Sequence, residues 1–355
     1  MTIFRYIFFV FFICFSLSLN AKEEERKELN IQEIVFGHIG NSHEWHITEW
    51  NGHSITIPLP IIVKSIQSGW QIFPSSRFHS KEGNYKNMYI SEQGESKGKI
   101  CERDKNGKEC VLLDLSITKN VVQLWIVIIT MLCIFLPCAH WYKQKGADHD
   151  APKGWLGFIE WFVMMINDDL IKGSIGEKHY KKYAPYLLTL FFFIFISNLW
   201  GLVPFFPGGA NLTGNIAVTF FLAFCTMIAI NLFGNKSYWK DIFWPDVPTW
   251  LKCPVPMMPL IEFFGVFTKP FALMVRLFAN ILAGHAIVLS LVCVIFITWQ
   301  IGAGIGAGLT VVSVIMTIFM DFLELLVAFI QAYVFTMLSA VFIGLAHMEP
   351  ETEKH

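Results

Sequence analysis

The sequence predicts an all-α polytopic membrane protein with five membrane helices, an interfacial amphipathic helix and a small exported N-terminal domain. Three observations favour this fold class. The 355-residue chain is 54% hydrophobic and contains 34 phenylalanines. Only 15% of it is charged, against about 25% in soluble domains. The charges are also segregated along the chain, and such segregation reports the topology of a membrane protein.

The first 21 residues have the features of a secretory signal peptide. Arg5 precedes an apolar run, which the small residue Ala21 follows, and this order is typical of a cleaved signal. Leu19 is larger than the residue usually found third before a cleavage site, so an uncleaved anchor stays open as an alternative. Either alternative exports the segment that follows.

Residues 22–118 are predicted to form a small strand-rich exported domain. Short alternating stretches such as HSITIPLPIIV lie between Gly, Ser and Pro residues, a pattern typical of strands. Cys101 and Cys110 flank the turn-prone stretch ERDKNGKE. Because exported domains favour disulfides, a local disulfide between these two cysteines is a candidate.

Four histidines lie close together in the same domain, within FGHIGNSHEWHITEWNGH. Histidine is a common zinc ligand, but HEWH lacks the spacing of the helical two-histidine protease motif. A solvated or partner-facing surface is therefore favoured over a zinc site, and no metal is predicted. The four are His38, His43, His46 and His53.

Five apolar stretches follow, at about 120–142, 184–206, 212–234, 258–300 and 309–347. The first three are long enough to cross a hydrocarbon layer of about 30 Å once as helices. The last two would each make a helix of about 60 Å, so each must tilt strongly or break. The glycine-rich stretch GAGIGAG at 302–308 is predicted to reverse the chain into a helical hairpin, with a flexible helix end as the alternative.

The lysines predict the orientation of the membrane domain, residues 119–347. Seven lysines lie in the loop 143–182 and three in the loop 236–252, whereas the opposite loops have no lysine or arginine. Positive residues favour the cytoplasmic side. This places the N-terminal domain outside and the tail 348–355 in the cytoplasm, and the family resemblance described below implies the bacterial inner membrane.

Apolar residues recur at helical spacing between Trp155 and Ile166, while Lys153, Glu160 and Asn167 recur on another face. The pattern predicts an interfacial helix on the membrane surface. An amphipathic helix packed on another protein domain is the weaker alternative, because tryptophans suit the headgroup boundary.

The stretch FALMVRLFANILAGHAIVLSLV carries Arg276 inside a membrane helix. A charged side chain there is costly and is functional by default. Small residues share its helix face and would let another helix approach closely. A carboxylate on a passing partner is therefore expected, with a static internal ion pair to Asp321 or Glu324 as the alternative. The helix face of Arg276 also includes Glu262, Lys269, Ala272, Ala279, Asn280 and Ala283.

The last apolar stretch contains DFLELLVAFIQAY, with Glu324 and Gln331 seven residues apart on one face. His285 lies about 180° around its helix from Arg276, so it can face this last helix. Histidine titrates near neutral pH and is suited to passing protons, whereas arginine stays protonated. A neutral core histidine is the alternative.

Two stretches resemble a known family. TKPFALMVRLFANILAGH resembles the signature of the a subunit of F-type ATP synthases, and LLVAFIQAYVFTMLSAVFIG resembles that subunit's last helix. The resemblance covers residues 119–347 and implies that Arg276 is the family's essential arginine. His285 and Glu324 stand where some relatives have Glu and His, and Gly201 stands where some carry an acid. The resemblance implies proton-translocation roles for Arg276, Asn280, His285, Glu324, Gln331, Glu262 and Asn198.

The resemblance further implies a non-catalytic stator subunit with two offset proton half-channels. Its implied partners are the rotating c-subunit ring, the b subunits of the peripheral stalk, the lipid bilayer and H+, with no cofactor and no nucleic acid. Two other classes fit less well. An intramembrane aspartyl protease would need a GxGD-like setting, which FMDFL lacks, and a secondary transporter would usually show a sequence repeat.

Overall fold

The computed structural model describes residues 40–50, 53–79, 84–91, 98–103, 109–145, 152–203, 207–244, 257–301 and 303–347. The predicted signal peptide, His38 and the C-terminal tail lie outside these residues. The described chain is mostly helical and begins with a strand-containing domain.

Eight strands form the described part of the N-terminal domain. All pair in antiparallel fashion, in three small sheets with strand orders β1-β2, β4-β3-β8 and β5-β6-β7. The strands are β1 Glu44–Trp50, β2 His53–Pro58, β3 Pro60–Ser65, β4 Gly69–Pro74, β5 Met88–Ile90, β6 Ile100–Arg103, β7 Glu109–Val111 and β8 Leu113–Asp114.

The core of this domain follows from the strand period of two. Ile61 and Val63 of β3 are fully buried, whereas Ile62 and Lys64 between them point to the other face. Phe73, Met88, Ile100 and other buried residues complete a cluster separate from the core of the membrane helices. The domain therefore has its own small hydrophobic core.

The candidate disulfide is wrong. Cys101 of β6 lies opposite Val111, and Cys110 of β7 lies opposite Glu102. Neighbouring positions along a strand point to opposite faces, so the two sulfurs lie on different sides of the sheet. Both residues are thiols in the structure.

Five helices are long and apolar enough to cross a membrane, which agrees with the five predicted spans. The membrane domain starts with α1 Lys119–Lys145, and α2 Trp155–Met165 continues as the π-helical segment Ile166–Lys172. After a helical turn at Gly173–Ile175, the chain forms α3 Tyr180–Leu202, α4 Ile216–Phe233, the short α5 Lys236–Phe243, α6 Met257–Ile301 and α7 Ala303–Leu345.

The two long helices pack antiparallel as the predicted hairpin, since Gln331 contacts Arg276 and Glu324 contacts His285. The glycine-rich reversal is shorter than expected. Helix α7 already begins at Ala303, so Gly304, Gly306 and Gly308 belong to its first turns. Gly302 lies outside the described residues.

The apolar stripe of α2 divides between two surroundings. Ile159 is buried, and the ring of Phe162 packs edge-on against Phe191 of the central helix α3. Trp155 and Trp161 are 64% and 60% exposed on the other side. One side of α2 therefore packs on the membrane helices, and the other side exposes tryptophan rings.

The loop before β1 caps the start of α1. The amide of Lys119 donates to the carbonyl of Ser42 at 3.0 Å, and the amide of Asn120 donates to Oδ1 of Asn41 at 3.3 Å. These bonds satisfy amides that lack a partner inside the helix. His43 Nε2 lies 2.7 Å from Oδ2 of Asp114 in the same region, so the N-terminal domain and α1 are tied together.

Candidate functional site

Arg276 lies on an exposed face of α6. Its side chain is exposed, as are those of Ala272, Ala279, Asn280 and Ala283 on the same face. Within the described part of the chain, no carboxylate forms an ion pair with the guanidinium. The alternative of a static pair with Asp321 or Glu324 is therefore wrong.

Gln331 reaches the backbone of Arg276 rather than its side chain. This residue is 3% exposed, and its Nε2 donates to the carbonyl oxygen of Arg276 at 2.8 Å. The bond uses the second lone pair of a carbonyl inside α6. Gln331 thus holds α7 against α6 at the level of the arginine and leaves the guanidinium unengaged.

His285 faces α7, as its position on the helix predicts. Its Nδ1 is in close contact with Oε1 of Glu324, which is 7% exposed, and its Nε2 lies 3.2 Å from the carbonyl oxygen of Gly201. A carbonyl can only accept, so Nε2 carries a hydrogen. The contact between Nδ1 and Glu324 brings together two side chains that can each bind a proton.

Two glycines make room for this pair. A Cβ added at Gly284 would lie 3.2 Å from Oε1 of Glu324, and a Cβ at Gly201 would lie 3.6 Å from Nε2 of His285. The first distance is too short for an undisturbed carboxyl group. Gly284 is a site residue that the sequence reasoning missed, and its position beside His285 was the available signal.

Asn198 lies near the end of α3 and connects it to α7. Its Nδ2 donates to the carbonyl oxygen of Ala328 at 3.2 Å, and its Oδ1 accepts from the hydroxyl of Thr213 at 2.7 Å. Ala328 is one helical turn after Glu324, so Asn198 joins the same side of α7. Thr213, in the loop before α4, is a second residue that the sequence reasoning missed.

Glu262 does not join this group. It precedes Arg276 by fourteen residues, about 21 Å along the helix axis. Its Oε2 and the Nζ of Lys269 both lie 4.0 Å from where a Cβ of Gly265 would be. Two separate polar groups therefore flank Arg276 along α6, Glu262 toward one end and His285 toward the other.

The membrane part of the chain matches a known family. The model of the family described as ATP synthase A chain matches residues 121–344, which include most of α1, all of α3 and α4, and most of the α6–α7 hairpin. The chain belongs to the ATP synthase A chain family. A second model, described as a domain of unknown function, matches residues 34–120.

Curated relatives agree with this membership. ATP synthase subunit a of Chlorobium phaeobacteroides is 43% identical over 248 residues, which cover 68% of each chain. The protein of the same name from Pelodictyon phaeoclathratiforme is 45% identical over 68% of this chain and 69% of its own. That of Myxococcus xanthus is 38% identical over 66% of this chain and 74% of its own. Family membership and five apolar helices together make the chain a multi-pass membrane protein.

Proposed function

We propose that this ATP synthase A chain family member is the proton-translocating stator subunit of an F-type ATP synthase, and that it is not itself catalytic. The observation that carries the proposal is Arg276, a permanent cation without an ion-pair partner among the described residues. It lies on an exposed strip of small residues in a lipid-spanning helix. Such a charge needs a partner from outside the chain.

The partner is a ring of c subunits, each with a carboxyl group at mid-membrane. The shallow strip formed by Ala272, Ala279 and Ala283 supports a close helix approach. Arg276 attracts the ionised form of each passing carboxyl group, because Coulomb attraction is strong where the dielectric constant is low. Neutral, protonated carboxyl groups turn into lipid, and Asn280 on the same face meets them as they pass.

One half-channel opens from the exported side and passes through His285 and Glu324. Their close contact supports a relay, because the pair can accept a proton on one side and release it on the other. Asn198 and Gln331 line the same side of α7. Buried polar atoms of Gln123, Ser197 and Asn211, near the same membrane surface, have no hydrogen-bond partner among the described residues. Polar lining of this kind supports passage of water and protons.

The second half-channel opens to the cytoplasm, and Glu262 is the acidic residue at its exit. Arg276 lies between Glu262 and His285 and cannot lose its proton. A proton therefore cannot pass directly from one half-channel to the other. It must travel on a ring carboxyl group, which couples proton flow to rotation and to ATP synthesis.

The proposed setting is a bacterial inner membrane with the N-terminal domain exported and the C-terminus cytoplasmic. Residues 1–21 would act as the signal peptide, and the b subunits of the peripheral stalk would anchor the stator. Trp155 and Trp161 support an interfacial position for α2, since their exposed rings suit the headgroup boundary.

ATP-driven proton pumping in inverted vesicles tests the proposal. Arg276→Ala should abolish pumping, read as the loss of quenching of a pH-sensitive dye, while the complex still co-purifies with its ring. Arg276→Lys should fail to restore it, because a buried ammonium can lose its proton and lacks the planar guanidinium. Normal pumping by an assembled Arg276→Ala complex would overturn the proposal in favour of a transporter that works without a ring.

A further inference from the structure

The outward face of the β4-β3-β8 sheet is apolar and exposed. Lys64 of β3 lies between Trp70 of β4 and Leu113 of β8 in one row across the sheet. In the next row Ile62 lies opposite Ile72, and the amide of Leu115 donates to the Ile62 carbonyl at 2.9 Å. The exposed fractions are 54% for Trp70, 74% for Ile72, 57% for Leu113 and 60% for Leu115.

This face is distinct from the core of the domain. Ile61, Val63 and Phe73 of the same strands point to the opposite side, where they are buried. An antiparallel sheet with one packed face usually has a polar outer face. A contiguous apolar outer face instead indicates a surface that meets a partner.

A short segment of the chain connects this sheet face to the membrane helix α1. The amide of Ile117 donates to the Pro60 carbonyl at 3.1 Å, so the segment after β8 stays bonded to β3 until just before α1 begins at Lys119. Four residues can span at most about 14 Å, which keeps Leu115 close to the end of a membrane helix. The first turns of α1 expose Trp125 and Ile129 in the same way.

We propose that this sheet face, defined by Trp70, Ile72, Leu113 and Leu115 around Lys64, lies on the lipid surface beside α1. A tryptophan next to a lysine suits the headgroup region, where the ring sits at the boundary and the ammonium meets phosphate. Lysine is depleted from protein–protein interfaces, so its central position favours lipid over another subunit. The neighbouring Asp114 is held by His43 and contributes no opposing charge to the face.

Photo-crosslinking in native membranes tests this contact. Benzoylphenylalanine replaces Ile72 in the assembled complex, and mass spectrometry identifies the adduct after irradiation. The expected product is a phospholipid adduct on the β4 peptide. Lys99 is the matched control, because it is exposed in the same domain but lies outside this face, and it should give no lipid adduct. An adduct to another subunit, or to residues 1–39 of this chain, would overturn the proposal.

A second measurement does not depend on the crosslinker. The complex and its Trp70→Phe variant are reconstituted into phosphatidylcholine and phosphatidylglycerol vesicles with bromine near the headgroups. The difference between the two fluorescence signals reports Trp70 alone. Brominated lipid is expected to quench the Trp70 fluorescence strongly. Equal Trp70 fluorescence in brominated and unbrominated vesicles would contradict lipid contact.

Discussion

Arg276 and His285 of helix α6 have opposite surroundings. Arg276 is exposed on a strip of small residues, and no carboxylate among the described residues pairs with it. His285, nine residues later and about 13 Å along the axis, is enclosed between Glu324 and Gly201. An enclosed polar side chain with its own partner needs no further contact from outside the chain. An exposed charge in a membrane helix requires a partner that the chain does not contain.

The largest effect is expected from a bulky side chain on the strip of small residues beside Arg276. Ala279→Trp should reduce ATP-driven pumping by at least about tenfold, an added barrier of roughly 1.4 kcal/mol, because a bulky ring would keep a passing helix away. Phe271→Trp is the matched control, since Phe271 is 61% exposed and points about 140° away from Arg276. Equal pumping by both variants would mean that no helix passes over the strip.

The enclosed position is tested by removing the space around it. Gly284→Val should displace the Glu324 carboxyl group, since even a Cβ would lie 3.2 Å from Oε1. Overpacking of this kind costs about 1–3 kcal/mol of stability. Displacement of the carboxyl group should separately lower proton flux by about tenfold, an added barrier of about 1.4 kcal/mol. Gly308→Val has open space around it and should pump normally. Unchanged flux in Gly284→Val would remove the carboxyl position from the pathway.

The proton relay predicts a milder effect with a signature in pH. His285→Gln or Glu324→Gln should slow proton uptake by several-fold, less than about 2 kcal/mol, and shift the pH profile of pumping rather than abolish it. The double variant His285→Glu with Glu324→His should recover most of the flux, because one titrating pair replaces another. Identical pH profiles in wild type and both single variants would argue for a purely structural pair.

The contact between Asp114 and His43, outside the membrane helices, should affect stability but not transport. Burial raises the pKa of Asp114, but hydrogen bonds from Ser116 and His43 outweigh it and hold the pKa below its usual range. Its contribution to stability is present above the unfolded-state pKa of about 3.9 and is lost as pH falls through the lower folded-state pKa.

Asp114→Asn should therefore destabilise the N-terminal domain at pH 7 by about 1 kcal/mol, read as faster limited proteolysis in the assembled complex. Below both pKa values of Asp114, the variant and the wild type should converge. A difference in proteolysis rate that persists unchanged at acid pH would mean that the ionised carboxylate is not the stabilising group. A loss of pumping in Asp114→Asn would mean that this contact also affects transport.

The periodicity of the sequence predicted the parts of the site that depend on helix faces. The 100° step per residue correctly directed Arg276 outward and His285 toward α7. It could not predict that Gly284 makes room for Glu324 or that Thr213 bonds Asn198, because those contacts depend on how separate elements meet. The disulfide failed for the same reason, since strand register decides which face each cysteine occupies.

The central claim, that Arg276 meets a carboxylate from outside the chain, can be tested by zero-length coupling. In an assembled Arg276→Lys complex, a membrane-permeant carbodiimide would convert a nearby carboxyl group into an O-acylisourea. The neutral lysine amine would then attack its carbonyl carbon, which releases the urea and a proton and leaves an amide bond. The account predicts that mass spectrometry finds residue 276 joined to a carboxyl group of a small ring subunit. A bond to Asp321 or Glu324 of the same chain would contradict it.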